Sequence, residues 1–328
     1  MPANLPPEYF EAEIRYRQAK EIPEKIEALQ AMFAVMPKHK GTDRLRAELR
    51  TKIAKLTQEA QHKHVLGRQA SFSYIRKEGA GQVVLVGLPN AGKSQVVASL
   101  TGASPEVADY PFTTHTPTPG MMRFENIQVQ LVDLPPITDH DAQSWLSGVL
   151  RNADALLIVV DLSRDAGEQM ATLFSEMEKL KVEAVGQGAP PGSPQPIVQK
   201  RTLIVGNKSD LGNSGKNLET LARDYGGRFP VIAISAAGRA GLEEVRGEVY
   251  RALDIIRVHT KTPGKKTDME EPVVLPRGST VEDAAESIHK DFRHRLKYAQ
   301  VWGSGKFSGQ RVKRDHQLED GDIIEFHI

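Results

Sequence analysis

Apolar runs recur through the middle of the chain, most of them ending at a polar residue. Val83–Val86, Leu156–Val160 and Leu203–Val205 are continuously apolar, the pattern of strands buried on both faces. Gln128–Val132 alternates apolar with polar positions, and Val231–Ile234 closes the series. Between these runs the spacing predicts helices over Lys93–Leu100, Ala142–Arg151, Gly167–Leu180, Leu218–Tyr225 and Gly241–Asp254. Strands alternating with helices predict a parallel α/β sheet. Ahead of it, Pro7 to about His64 is helical in two segments that part at Met36–Gly41. Ile22, Ile26, Leu29 and Phe33 mark the first, and Leu45, Leu49, Ile53 and Leu56 the second, with Thr42 or Asp43 as its cap. An antiparallel helical hairpin is expected. Behind the sheet, Pro272–Leu275, Gln300–Trp302 and the alternating Gly321–Ile328 read as strands. Val281–Lys290 reads as a helix capped by Thr280 or Ser279. The Gly/Pro-rich stretch after Val185 predicts an exposed loop, and polar Thr260–Glu271 a linker.

Composition narrows the class without naming a function. The 328 residues carry 39% hydrophobic and 26% charged side chains, as a globular protein does. Net charge is +1, so only local clusters can argue for a nucleic-acid partner. Two stand out: Lys38–Lys55 in the hairpin, and Lys290–Arg314 around Tyr298 and Trp302. Each has a plain reading, a solvated helix face for the first and a β-grasp core for the two aromatics, beside an RNA-contacting one. The absence of cysteine excludes disulfides, thiolate metal sites and a cysteine nucleophile. The charged N-terminus lacks a signal-peptide core, and no apolar run approaches the ~20 residues of a membrane helix. A soluble, cytoplasmic protein with no membrane partner is expected.

The chemistry sits where the strands end. After Val83–Val86 the chain reads Gly87-Leu88-Pro89-Asn90-Ala91-Gly92-Lys93-Ser94, a G-x-x-x-x-G-K-[ST] loop between a strand and a helix. Glycines let backbone N–H groups turn toward an anion, and the helix N-terminus adds its dipole. Lys93 reaches β- and γ-phosphates, and the Ser94 hydroxyl can ligand Mg²⁺. The loop Asp109–Gly120 offers Thr113, Thr114 and Thr116 as further hydroxyl ligands. Asp133, opening Asp133-Leu134-Pro135-Pro136, can hold Mg²⁺ through water. Asn207-Lys208-Ser209-Asp210 follows another strand: Asp210 can accept from guanine N1–H and N2–H₂, Lys208 can lie along the base, and Asn207 can tie this loop to the cradle. Ser235-Ala236-Ala237 is small enough for a backbone N–H to approach guanine O6.

With these residues in hand, the chain resembles the developmentally regulated GTP-binding proteins, within the Obg-like translation-factor GTPases. Gly87–Ser94, Asp109–Thr114 and a long run of tail residues, among them Lys297-Tyr298-Ala299 and Val301-Trp302-Gly303-Ser304, carry the likeness. It implies a P-loop GTPase domain at 71–258, preceded by a helical hairpin at 1–70 and followed by a small ubiquitin-like β-grasp (TGS) domain at 259–328. It further implies GTP or GDP bound along Asn90, Ala91, Gly92, Lys93, Ser94 and Gln95, with Asp133 and the two base-side loops. Thr114 becomes the switch ligand of Mg²⁺ beside Ser94, and Asn90 a ligand of K⁺, so that Lys93, Thr114 and Asn90 carry catalysis. Ile137 stands where many GTPases place a water-orienting glutamine, implying slow intrinsic hydrolysis. The ribosome or RNA, and a stabilising protein, are the implied partners. Two departures matter. Pro136 replaces the switch glycine whose N–H contacts the γ-phosphate. Glu168–Lys200 is also too short for the inserted segment of the close family. Two functions follow: a GTP-hydrolysing switch, or a hydrolysis-deficient guanine-nucleotide adaptor.

Overall fold

A computed structural model describes residues 6–19, 22–37, 42, 45–56, 74–102, 117–139, 143–186, 188, 197–262, 267, 269–305 and 307–327. The chain divides into two compact units, Met1–Ser71 and Phe72–Ile328.

The first unit holds α1 (Pro7–Gln18), α2 (Ile22–Val35) and a helix over 45–56. They share one core of Tyr9, Ala12, Leu29, Met32, Met36 and Leu49. The first expected helical segment is thus two helices. Ala19 turns extended (φ −62°, ψ 126°), and Pro23 lies in the first turn of α2. An unbroken helix would drive the proline ring against the carbonyl four residues back, whereas a first turn tolerates it. The Thr42 carbonyl accepts from Arg46 N–H at 2.9 Å, the position of a helix cap. Arg46 and Arg50 lie over the Phe33 ring at 4.3 and 5.2 Å, so two of the hairpin's cations serve its own packing.

In the second unit, β1 (Gln82–Gly87), β3 (Ile127–Asp133), β4 (Ala155–Asp161), β6 (Val198–Asn207), β5 (Val182–Val185) and β7 (Val231–Ala233) run parallel. β2 (Thr118–Phe124) pairs antiparallel with β3 and edges a sheet of order β2-β3-β1-β4-β6-β5, with β7 also on β6. Helices α3 (Lys93–Thr101), α4 (Gln143–Asn152), α5 (Ala166–Lys179), α6 (Ser214–Tyr225) and α7 (Leu242–Leu253) connect the strands. β1 and β4 are buried at every position, which is why they read as unbroken apolar runs. Two cores result. Val84, Val132, Leu156 and Ile158 point into one, and Val83, Leu85, Leu131 and Leu157 into the other. β2 and β5 are additional to the expected strands. β2 occupies part of the expected Thr-rich loop, and as an edge strand it accommodates Pro119. Among the described residues no helix is long and apolar enough to cross a membrane.

A second sheet follows, ordered β11 (Gln310–Val312), β10 (Tyr298–Trp302), β12 (Ile323–His327), β8 (Ile255–Thr260) and β9 (Val273–Pro276). Its first strand begins ahead of residue 259, because Ile256 and Val258 are fully buried in its core. The polar stretch expected as a linker therefore connects β8 to β9 within one sheet. Helices α8 (Val281–Ile288) and α9 (Lys290–Arg295) lie between β9 and β10. Thr280 caps α8 through a capping box: its N–H donates to Asp283 Oδ2 at 2.7 Å, and Asp283 N–H returns to its hydroxyl. Ala299 and Val301 enter the core, so Tyr298 and Trp302 fall on the opposite face, half-buried. This overturns the reading of the two aromatics as core.

Arg257 of β8 joins the two sheets. Its guanidinium donates to Asp320 Oδ2 at 2.8 Å, to Glu125 and to Asn126 Oδ1 at 3.2 Å, and it lies over the Tyr250 ring at 4.9 Å. Tyr250, at the end of α7, stacks on Phe124 and donates its hydroxyl to Asp320 Oδ1 at 2.6 Å. The β2–β3 turn is thereby clamped to the second sheet. Burial alone would raise the Asp320 carboxyl, but the Arg257 and Tyr250 donors hold it at about 2. Burial and the Asp320 charge push the Tyr250 phenol to about 12.

A carboxyl depressed in the folded state stabilises above its ordinary value near 3.8 and loses that contribution as pH falls toward about 2. Asp320→Asn is expected to flatten the acid limb of thermal stability between about pH 5 and pH 2. Equal acid slopes for both proteins would refute the clamp. Arg257→Ala is expected to cost ~2 kcal/mol in denaturant unfolding at neutral pH, since it removes the guanidinium shared by two carboxylates, leaving Asp320 the Tyr250 hydroxyl and a backbone N–H.

Candidate nucleotide-binding site

The carboxyl ends of β1, β3, β4, β6 and β7 come together at one rim of the first sheet, where open α/β sheets hold ligands. β1 ends at Gly87, and the loop after it turns through Asn90 (φ 64°) into Gly92 (φ 91°), which begins α3. Gly92 is required twice over. Its φ is left-handed, and a Cβ there would stand 2.4 Å from the Asn207 amide nitrogen. Lys93 is buried within this loop, with its ammonium on the carbonyls of Gly87 (3.1 Å) and Leu88 (3.3 Å). Ser94, exposed at the first turn of α3, donates its hydroxyl to Asp133 Oδ2 at 2.5 Å.

These groups are electrostatically under-compensated. Burial pushes the Lys93 ammonium below its ordinary value, and the Asp133 charge offsets only part of that. Burial likewise pushes the Asp133 carboxyl up, against the Ser94 hydroxyl and the Lys93 charge. Among the described residues, Asp133 Oδ1 is buried with no hydrogen-bond partner. A polyanion near Lys93 together with a cation near Asp133 would relieve both. Among the described residues no group of three or more His, Asp or Glu side chains could hold a metal. A cation here would instead draw on one hydroxyl, one carboxylate, phosphate and water, the oxygen chemistry that suits Mg²⁺. The residues therefore fit that ion.

On the base side, Asn207 ends β6 and links three segments. Its amide donates to the Ala91 carbonyl at 3.0 Å, and its carbonyl oxygen accepts from Ala236 N–H at 3.1 Å. Lys208 follows in the left-handed region (φ 65°) and donates to the Asn90 carbonyl at 2.9 Å. Asp210 is fully exposed, and hydrogen bonds from Ser235 and its own N–H hold its carboxyl below the usual range. The Ser235 hydroxyl also accepts from Gly238 N–H at 2.9 Å, while Ala237 is exposed. Gln95 is exposed on α3, its carbonyl accepting from Ser99 at 2.7 Å. The cradle, Asp133 and both base-side loops are thus one neighbourhood. Thr113, Thr114 and Thr116 lie outside the described residues.

Beyond Asp133 the chain has little backbone to offer a ligand. Pro135 and Pro136 carry no N–H, and Leu134 and Ile137 are 4% and 2% exposed, anchored in the core. The Pro136 carbonyl accepts from Asp139 N–H at 2.9 Å and closes the turn. One residue of this rim went unassigned in the sequence. Asp161 ends β4 beside Asn207 and sends its carboxylate to Lys208 at 2.6 Å. The signal was present, since Leu156–Val160 ends in a polar residue as its neighbours do.

Comparison with known proteins agrees with this geometry. Residues 82–188 match the family described as 50S ribosome-binding GTPases, and residues 256–328 match the TGS domain. A GTP-binding protein of Methanocaldococcus jannaschii, itself uncharacterised, is 29% identical over 373 aligned positions, spanning 94% of this chain and 93% of the relative. Developmentally-regulated GTP-binding protein 2 of Homo sapiens is 26% identical over 359 positions, spanning 92% of this chain and 98% of the relative. Both alignments are longer than the 328 residues here, so these relatives carry residues with no counterpart in this chain. Among solved structures, a GTP-binding protein of Pyrococcus horikoshii shares the fold with a TM-score of 0.51 and 19% identity, covering 75% of this chain and 99% of that one. The chain is a homologue of the developmentally regulated GTP-binding proteins, with a P-loop GTPase domain followed by a TGS domain.

Proposed function

We propose that this chain binds GTP and hydrolyses it slowly as a switch acting on the ribosome or RNA. The observation that carries the reading is the double hydrogen bond of Asn207, which joins the phosphate cradle at Ala91 to the base-side loop at Ala236, with Asp210 and Lys208 beside it. Asp210 selects guanine by accepting from N1–H and N2–H₂, donors that adenine does not offer as a pair. The reaction is in-line attack of water on the γ-phosphate, where positioning and charge neutralisation do most of the work. Lys93 spans the β- and γ-phosphates from within the cradle. Ser94 and Thr114 would hold Mg²⁺, with Asp133 behind them, and Asn90 would hold K⁺. Both cations would supply positive charge that offsets the negative charge developing on the phosphate. No side chain is assigned as general base. Ile137 is buried and offers no group to orient water, which supports slow turnover.

A second reading, a nucleotide-dependent adaptor without efficient hydrolysis, is favoured by the Pro135-Pro136 pair. With no N–H at either position, the second switch loses the donor by which related GTPases sense the γ-phosphate. RNA as partner is supported by the domain of the second sheet. There Arg295 and Lys313 are exposed cations that could meet phosphates, whereas Tyr298, stacked with His327 and under the Arg311 guanidinium, and Trp302, under Lys261, have their rings engaged within the fold. Other cations of the tail serve the fold itself, Arg293 by pairing with Glu282 and Glu286 and Arg314 by donating to the Leu296 carbonyl.

Multiple-turnover phosphate release, measured with and without K⁺, is expected to exceed background and to rise with K⁺. Release at background in all conditions with GTP still bound would establish the adaptor. Pro136→Gly is expected to raise the rate, on the order of tenfold, by restoring a backbone donor. Asp210→Asn is expected to weaken GTP by at least about 1.5 kcal/mol and to favour xanthosine triphosphate, whose base carries a carbonyl where guanine carries its amine. Binding of single-stranded RNA is expected to weaken steeply as salt is raised. Unchanged affinity would remove these cations from consideration.

A further inference from the structure

Asp161 is 2% exposed, and a carboxylate so buried must have its charge matched. Its Oδ1 accepts from the Ser163 N–H at 2.9 Å and the Ser163 hydroxyl at 2.6 Å. Its Oδ2 accepts from Lys208 Nζ at 2.6 Å, with Arg164 Nε more distant at 3.9 Å. The residue is held firmly. Gln169 brackets its backbone, accepting from its N–H at 3.0 Å and donating to its carbonyl at 2.8 Å. Burial alone would raise this carboxyl, yet the Lys208 and Ser163 donors hold it below the usual carboxylate range. The same Lys208 ammonium reaches the Asn90 carbonyl at 2.9 Å. Lys208 and Asn90 are both non-glycine residues in the left-handed region, at φ 65° and 64°. Such backbones persist only where surroundings hold them. A single ammonium therefore spans the two strained residues, one from the base-side loop and one from the cradle, and Asp161 is the buried counter-charge that fixes it there.

We propose that Asp161 is a positioning residue for guanine-nucleotide binding, one that holds the Lys208 side chain against Asn90 so that base wall and phosphate cradle are set before the nucleotide arrives. The proposal rests on the nucleotide reading above. A free lysine has four rotatable bonds, and ordering it at the moment of binding subtracts from affinity. With Asp161 in place that ordering is supplied by the protein's own contacts. The carboxylate is taken up by Lys208 and Ser163 and contacts none of the described groups assigned to the γ-phosphate, so it acts on affinity and dwell time and not on the chemical step.

The test is binding and release of fluorescent GDP and of a non-hydrolysable GTP analogue on the full chain, with thermal melting as a check on folding. Asp161→Asn is expected to weaken both nucleotides by about tenfold, through faster release, and to leave single-turnover hydrolysis of bound GTP within about twofold of wild type. Ser163→Ala, which removes the hydroxyl donor and leaves the backbone N–H of residue 163 and the Lys208 pair, is expected to keep affinity within about twofold. In a Lys208→Met background, Asp161→Asn is expected to lower affinity no further and to restore part of the melting temperature, since it neutralises a stranded charge. If Asp161→Asn alone does not fold, the double variant decides, and it should bind as Lys208→Met does. Affinity unchanged by Asp161→Asn, a loss confined to the GTP analogue, or a full further loss in the Lys208→Met background would each overturn the proposal. A wild-type chain that binds no guanine nucleotide would instead overturn the reading beneath it.

Discussion

The side chain of Asn207 is the constraint on which the nucleotide rim depends. It leaves the end of a central parallel strand and satisfies one carbonyl of the phosphate cradle and one N–H of the loop after β7. Without it, two backbone groups from distant parts of the chain would stand buried and unpaired, each costing on the order of 1–3 kcal/mol. The demand works in both directions, because the amide fits only if residue 92 has no Cβ. Gly92 is therefore fixed by more than its own turn. Much of the rim follows from this one junction: the left-handed turn into α3, the seat of Ala236, and the approach of Lys208 to Asn90.

The charged groups of the phosphate side show a different economy. Lys93 and Asp133 lie in burial that disfavours the ionised form of each, and among the described residues Asp133 keeps an oxygen with no partner. Structural ion pairs are usually completed inside the protein. Here completion is left to a ligand, which is how binding free energy becomes linked to local stability. The base side is arranged the other way. Lys208, Asp161 and Ser163 satisfy one another, so this wall is completed within the protein.

Much of this was legible in the sequence, for physical reasons. Strands buried on both faces must be apolar throughout, so β1 and β4 announced themselves, and parallel strands put their polar terminal residues on one rim. The failures are equally physical. β2 reads as loop because its residues Thr118-Pro119-Gly120 face solvent or half-burial, and only Met122 is buried. The first half of β6, Val198–Arg201, is half-buried and polar, so only its apolar second half was visible. Tyr298 and Trp302 were assigned to a core by residue type, although the alternation of β10 put Ala299 and Val301 there instead. Asp161 reads as a strand end like its neighbours, and nothing in linear order pairs it with a lysine in the loop after β6.

The clamp around Arg257 has a consequence for how these modules can be recombined. Two of its acceptors come from the β2–β3 turn, and its supporting ring from the last turn of α7, although the arginine itself and its third acceptor, Asp320, belong to the second domain. The boundary that a sequence alignment would draw near residue 256 thus cuts through a single cluster. A C-terminal module grafted onto a foreign GTPase core would arrive with its arginine and aspartate but without Glu125, Asn126 and Tyr250. The two domains share one cluster, so the unit of exchange is larger than either.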